Sequence, residues 1–195
     1  MPAREAAGRP SVFITVGTDH HPFHRLIEWV DAWLESGGRF RVDCLIQLGT
    51  SNPARFAECR DYLLAPEMQA AMRDAAAVVC HGGPGTIMEC RSLGLLPIVV
   101  PRQARLGEHV DDHQIRFARR MATTGGIHLA ETEAQLHELL EGVVVDPAAF
   151  RSEGVAPQLT ATVRRFGELV DLLVAGVGER RRSRNRRRRQ HAEGT

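Results

Sequence analysis

Short apolar runs alternate along this chain with segments of helical period, and the alternation predicts a strand–helix succession. SVFITVG, 11–17, is an apolar run that ends in glycine. In FHRLIEWVDAWLES, which follows, Leu26, Ile27, Val30, Trp33 and Leu34 recur at helical spacing while Arg25, Glu28, Asp31 and Glu35 take other positions. Gly37 and Gly38 stop that helix. RFRVDCLIQLG, 39–49, reads as a second strand, and 50–64 carries no decisive period. A helix is expected over about 66–76, with Pro66 suited to its first turn, and AVVCH, 77–81, is a buried strand. GGPG, 82–85, breaks that strand before a helix that opens at TIMECRSLG and ends near Gly94. LPIVV, 96–100, is another strand, halted by Pro101. A helix over about 109–122, a brief strand near 127–130 and a helix over 132–142 complete the succession. Crossover connections of this kind imply an α/β fold: a Rossmann-like, open, mostly parallel sheet with helices on both faces. Residues 1–10 read as a loose leader and 143–157 as turn-rich. An amphipathic helix over 158–175 closes a domain expected to span 11–175, and 176–195 reads as a disordered tail.

Composition narrows the partners. With 195 residues and 43% hydrophobic content the chain has enough material for one substantial core. Its formal net charge of +1 hides a division, because 179–195 hold eight arginines and two glutamates. The remainder has 17 arginines against 22 acidic residues, a body of −5, which argues against nucleic acid as a partner of the fold. All 25 basic residues are arginine, a compositional bias that weakens any argument from arginine alone. Cys44, Cys59, Cys80 and Cys90 form no CxxC pair and complete no zinc pattern with histidine, so four free thiols in a reducing cytosol are expected. No charged leader precedes an apolar h-region, and no apolar run reaches 18 residues, so membrane contact is expected to be peripheral or through a partner.

Ligands of open parallel sheets bind beyond the carboxyl ends of the strands. Three segments end a strand in that manner: VGTDHH at 16–21, HGGPGT at 81–86 and PRQARLGEHVDDHQ at 101–114. HGGPGT is the sharpest, since its glycines admit a close backbone approach and the helix after it presents N–H groups, which suits phosphate or diphosphate. It has no Walker lysine and lacks dinucleotide-fingerprint spacing. Glu89, three residues beyond Thr86, suits either the two hydroxyls of a ribose or a plain first-turn charge. In the third segment His109 and His113 at i,i+4 with Asp112 nearby form a conceivable metal set. The absence of a zincin glutamate and the suitability of Asp111, Asp112 and Gln114 for hydrogen bonds to a sugar favour a metal-free reading. The first segment offers the backbone of Gly17 and Thr18, with His20 and His21 as candidate general bases or as plain surface histidines.

At these same segments the chain resembles the C-terminal, donor-binding domain of GT-B glycosyltransferases of the MurG type. It is more closely similar to the small subunits of split enzymes, the Alg13-like and bacterial exopolysaccharide PssE-like proteins. VFITVGT with PFHRLI, then IQLGTS, HGGPGTIMECRSLGLLPIVVPR and GEHVDDHQIRFA carry the resemblance, which runs from about Val12 to about Leu140. The resemblance implies a UDP-sugar donor whose diphosphate meets Gly17, Thr18, His81, Gly82, Gly83, Gly85 and Thr86, with the ribose carboxylate on Glu89. It puts the donor-sugar segment on His109, Asp111, Asp112, His113 and Gln114. His113 stands where the MurG pattern has a glutamine, and TDHH replaces a fuller glycine-serine signature after the first strand.

The split families further imply a membrane-anchored, acceptor-binding partner subunit and an acceptor in the form of a polyprenyl-diphosphate-linked saccharide. Glucosyl or glucuronosyl transfer in exopolysaccharide assembly is the expected reaction, at the inner face of the plasma membrane. No cofactor is implied. The catalytic base is either His20 or His21 or a group of the partner. The arginine tail is either an anionic-lipid contact, at about 1 kcal/mol per arginine near the surface, or a solvated terminus. Two other classes fit the same loops: a nucleotide-sugar-binding regulatory module without catalysis, and a self-sufficient enzyme acting on a soluble acceptor.

Overall fold

The computed structural model describes residues 8–152; the expected leader up to that point, the 158–175 helix and the arginine tail lie outside the described residues. Six strands form one sheet: β1 (Ser11–Thr15), β2 (Asp43–Gln47), β3 (Glu58–Arg60), β4 (Ala77–His81), β5 (Ile98–Val100) and β6 (His128–Leu129). Their order is β3-β2-β1-β4-β5-β6, and every pairing is parallel. Among the described residues four helices lie in the crossovers, α1 (His24–Glu35), α2 (Ala65–Asp74), α3 (Pro84–Ser92) and α4 (His113–Thr123), and α5 (Glu133–Val145) follows the last strand. This is the expected Rossmann-like architecture.

Alternate strand residues feed two cores, which is why the central strands read as continuous apolar runs. Val12, Ile14, Ile46, Val79, Ile98 and Val100 pack under α1 and α5, through Leu26, Val30, Leu34, Leu136 and Leu140. Phe13, Val78, Cys80 and Val99 face the other way, against Met72 of α2, Ile87 and Cys90 of α3 and Ala118 of α4. All four cysteines are free. Among the described residues no helix is long and apolar enough to cross a membrane.

Several boundaries differ from the sequence pattern. The expected strand over 39–49 shrinks to Asp43–Gln47, because Gly38–Phe40 form a short 3-10 turn in which Phe40 is 67% exposed. A side chain at Gly38 would sit 2.6 Å from the Trp33 ring, so the chain turns there against the end of α1. The unassigned stretch 50–64 contributes the edge strand β3, and its approach is pinned by Asp31, which accepts from the backbone amides of Arg55 and Phe56 at 2.8 and 3.2 Å. The helix expected over about 109–122 begins only at His113. α3 starts two residues earlier than its pattern, with Pro84 at its first position, so Gly85 belongs to the helix and not to the turn. α5 runs to Val145, opened by a capping box in which Thr132 accepts from Gln135 N and Gln135 accepts from Thr132 N.

Candidate functional site

The strand order reverses between β1 and β4, so a crevice opens beyond their carboxyl ends, where open sheets bind ligands. A buried polar knot builds its floor. Thr15 donates to the Gln47 side-chain carbonyl at 2.5 Å and accepts from Gly17 N at 3.1 Å, while Gln47 donates to Gly17 O at 3.2 Å. Gly17 has φ +81, and a β-carbon there would lie 2.5 Å from the His81 ring. At Gly83 a β-carbon would come within 2.3 Å of His81 Nε2. His81 therefore lies between two glycine backbones, one from each side of the crevice. Burial, followed by the nearby Arg102 charge, pulls its imidazole down to about 4, so the ring is neutral at physiological pH.

Behind the floor stands a charged frame. Arg102 is fully buried. Its guanidinium donates to the carbonyls of Val16 (2.8 Å), His21 (2.7 Å) and Glu108 (2.9 Å), and it lies over the Phe23 ring. One arginine thus ties the β1–α1 loop to the loop after β5. Burial pulls its pKa down, opposed by the charges of Asp19 and Glu108. Glu108 forms a two-pronged pair with Arg25 of α1, both contacts at 2.8 Å, and also accepts from Gln103 N. Thr50 donates to His20 O and Ser51 accepts from Phe23 N, which stitches the β1–α1 loop to the turn after β2.

On this frame the rim residues converge. Asp19 accepts at one oxygen from the His21 amide (2.9 Å) and the His21 ring (2.7 Å), with His20 Nδ1 at 3.3 Å. Its other oxygen is 3.5 Å from His109 Nε2. Partial burial raises the Asp19 carboxyl, but the His21 hydrogen bonds and the charges of His21 and Arg102 outweigh it and hold the group at about 2. Asp111 accepts from the amide and ring of His113, which keep its carboxyl below the usual range. Asp112 accepts from Ala104 N at 2.9 Å and so braces its own loop. Gln114 is buried: its side-chain carbonyl takes Arg102 N, and its Cβ fills the space opposite Gly82. Ligand atoms of Asp19, His20 and His21 lie within 4.8 Å of one another, as do those of His109, Asp111 and His113.

Across the crevice the cap of α3 is Gly83, which brings no side-chain acceptor to the first helical amides. Nothing lies within 4 Å of a β-carbon placed on Gly85. Thr86 and Glu89 follow three residues apart on one helix face. Among the described residues neither side chain has a hydrogen-bond partner, and Glu89 makes no ion pair. Thr18 is exposed at the tip of the β1–α1 loop. A cavity of about 460 Å³ lined by Arg9, Ser11, Asp74, Pro147 and Arg151 lies at the opposite, amino-terminal end of the strands, away from these groups.

The structure thus gathers His20, His21, His109, Asp111 and His113 on one rim and the HGGPGT turn opposite. Sequence pattern missed the groups that hold them: Thr15, Gln47, Asp19, Arg102 and Glu108. Asp19, Arg102 and Glu108 had a visible signal, as charges beside a strand end within the VGTDHH and PRQARLGEHVDDHQ segments.

A UDP-N-acetylglucosamine--N-acetylmuramyl-(pentapeptide) pyrophosphoryl-undecaprenol N-acetylglucosamine transferase of Shewanella loihica is 34% identical over 117 residues, covering 60% of this chain and 29% of that protein. Its counterpart from Neisseria meningitidis is 36% identical over 86 residues, 44% of this chain and 22% of that protein. The chain thus matches less than a third of the length of these curated relatives. Among solved structures, Acinetobacter baumannii MurG has a TM-score of 0.53 at 19% identity, over 75% of this chain and 44% of that one. The solution structure of ALG13 has a TM-score of 0.53 at 17% identity, over 76% of this chain and 90% of that one. These two show a shared fold. Residues 11–153 match the glycosyltransferase family 28 C-terminal domain, and the chain belongs to that family.

Proposed function

We propose that this chain binds the UDP-sugar donor of a glycosyl transfer to a lipid-diphosphate-linked saccharide, together with a membrane-associated, acceptor-binding partner. The observation that carries the reading is the α3 start: a helix end without a side-chain cap, reached through HGGPGT at the switch point of the sheet. Such an end attracts anionic oxygens through its unpaired amides and dipole. Membership of glycosyltransferase family 28 and relatives whose names specify a UDP-sugar and a pyrophosphoryl-undecaprenol acceptor support the substrate classes.

In this reading Gly82, Gly83, Gly85 and Thr86 take the diphosphate with Gly17 and Thr18, beside the neutral His81, and Glu89 takes the ribose. The 109–114 loop takes the sugar through His109, Asp111, His113 and Gln114, while Asp112 braces it. As the glycosidic bond to the diphosphate breaks, the α3 amides stabilise the charge that develops on the leaving oxygens. The acceptor hydroxyl loses its proton to a base. Within this chain His21 is better placed than the largely exposed His20: Asp19 holds its Nδ1 and leaves Nε2 available. The partner can supply this group instead. Glucosyl or glucuronosyl transfer in exopolysaccharide assembly at the inner membrane face is the finer form of the proposal.

Calorimetric titration of the full chain with UDP, UDP-glucose, UDP-glucuronate and UDP-N-acetylglucosamine, alone and with its partner, tests it. UDP binding is expected to weaken at least tenfold in Glu89→Ala, about 1.4 kcal/mol. The tightest of the three nucleotide sugars names the donor. Absence of saturable UDP binding both alone and with the partner overturns the proposal.

A further inference from the structure

The loop after β1 and the loop before α4 meet at one carboxylate, Asp19, which turns a different oxygen to each. Oδ1 accepts from the His21 amide at 2.9 Å and from His21 Nδ1 at 2.7 Å, and Oδ2 lies 3.5 Å from His109 Nε2. The centroids of the two imidazoles are 6.1 Å apart, so Asp19 is the group through which they communicate. We propose that Asp19 is a positioning residue that joins the base to the sugar loop, fixing the tautomer of His21 with one oxygen and seating His109 with the other. This rests on the reading of His21 as the base and of 109–114 as the donor-sugar loop.

The backbone under these rings is tied down, so their orientation is left to side-chain contacts. His21 O accepts from Arg102 at 2.7 Å, His20 O accepts from Thr50 at 3.1 Å, and Phe23 N donates to Ser51 at 2.8 Å. The three side chains are also sheltered, with Asp19, His21 and His109 exposed by 26%, 24% and 13%, which limits competition from water. Partial burial raises the Asp19 carboxyl, but the His21 hydrogen bonds and the charges of His21 and Arg102 hold it at about 2. An ionised carboxylate only accepts, so His21 must carry its proton on Nδ1 and keep the lone pair on Nε2. His109 is fixed from both sides as well. The Asp111 amide points at its Nδ1 from 3.4 Å, which leaves the N–H on Nε2, toward Asp19. Contacts of this length in an empty site tighten when a ligand is bound.

In the transfer step the proton of the acceptor hydroxyl passes to His21 Nε2 as the acceptor oxygen bonds to the anomeric carbon of the donor. The bond from that carbon to the diphosphate oxygen breaks, and its electron pair leaves on UDP. The imidazolium that results faces an ionised Asp19 and then gives its proton to water. Because His109 takes the second oxygen of the same carboxylate, the base is aligned when the sugar loop is in place. A rotation of Asp19 that frees one ring frees the other.

Long-range nitrogen–proton NMR of the histidine rings of the full chain, at neutral pH and without ligand, reads the tautomers directly. His21 is expected as Nδ1–H and His109 as Nε2–H. In Asp19→Ala the released His21 ring is expected to pass mostly to Nε2–H, the form that blocks the base nitrogen. His109→Gln is expected to move the His21 ring resonances in the parent background and to leave them in place in the Asp19→Ala background. UDP affinity of Asp19→Ala by calorimetry should stay within about threefold of the parent. Its kcat for transfer with the partner should fall by about 10- to 100-fold. Nε2–H at His21 in the parent, a tautomer unmoved in Asp19→Ala, or a response to His109→Gln that persists without Asp19 overturns the proposal. Parent-like kcat in Asp19→Ala with UDP binding intact also overturns it and leaves the donor reading standing. A parent that binds no UDP overturns the donor reading instead, and the ligand-free tautomers still decide whether Asp19 joins the two rings.

Discussion

Beneath the crevice and at its rim the same kinds of residue behave in opposite ways. In the frame, Arg102, Glu108, Thr15 and Gln47 are buried and spend their polar groups on other parts of the chain. On the rim, Thr86 and Glu89 have no partner among the described residues, and His20 and Asp111 stand mostly in solvent. A buried polar group must be satisfied within the protein or it costs folding free energy, whereas an exposed one remains available to a ligand. The two sets are therefore expected to separate stability from binding.

Arg102 gives the largest effect. Arg102→Met leaves the carbonyls of Val16, His21 and Glu108 without their donor and should cost about 3–5 kcal/mol in urea unfolding. A loss below about 1 kcal/mol would mean that the frame does not hold the loops.

The pH dependence of stability sharpens the comparison at the boundary between frame and rim. His81 titrates near 4 in the fold and near 6.5 when unfolded. Between those values the unfolded chain binds the extra proton, so stability is complete above about pH 6.5 and falls as pH drops toward 4, by roughly 3 kcal/mol at most. Asp19, held at about 2, adds its own loss only below about pH 4. Unfolding curves at several pH values between 7 and 4 that show no decline would place His81 in solvent.

The smallest contrast lies within one turn. Gly83→Ala drives a methyl against His81 and should destabilise by about 1–3 kcal/mol. Gly85→Ala enters open space inside α3 and should stabilise by about 0.5–1 kcal/mol. Thermal melts of the two variants with equal shifts would remove the distinction between a glycine required by packing and one that keeps room for a ligand.

Periodicity was enough to expect the strand–helix alternation, the buried run of β4 and the faces of α1 and α5, because burial on two sides of a parallel sheet writes itself into local apolar runs and helical repeats. The carboxyl-end loops could be named for the same reason, since each follows directly on a strand. β3 and the false start of the strand at 39–42 were not legible: one is a short edge strand with alternating exposure, and the other is a turn set by the Trp33 ring behind Gly38. The i,i+4 reading of His109 and His113 also failed locally, because α4 begins at His113 and the histidines meet across a bend. Above all, no local pattern shows that Arg102 reaches 81 residues back to His21 O, or that Glu108 reaches 83 residues back to Arg25. Local sequence encodes which face of an element avoids water. Partners for buried charges are chosen by the packing of distant loops, and only the folded chain brings those together.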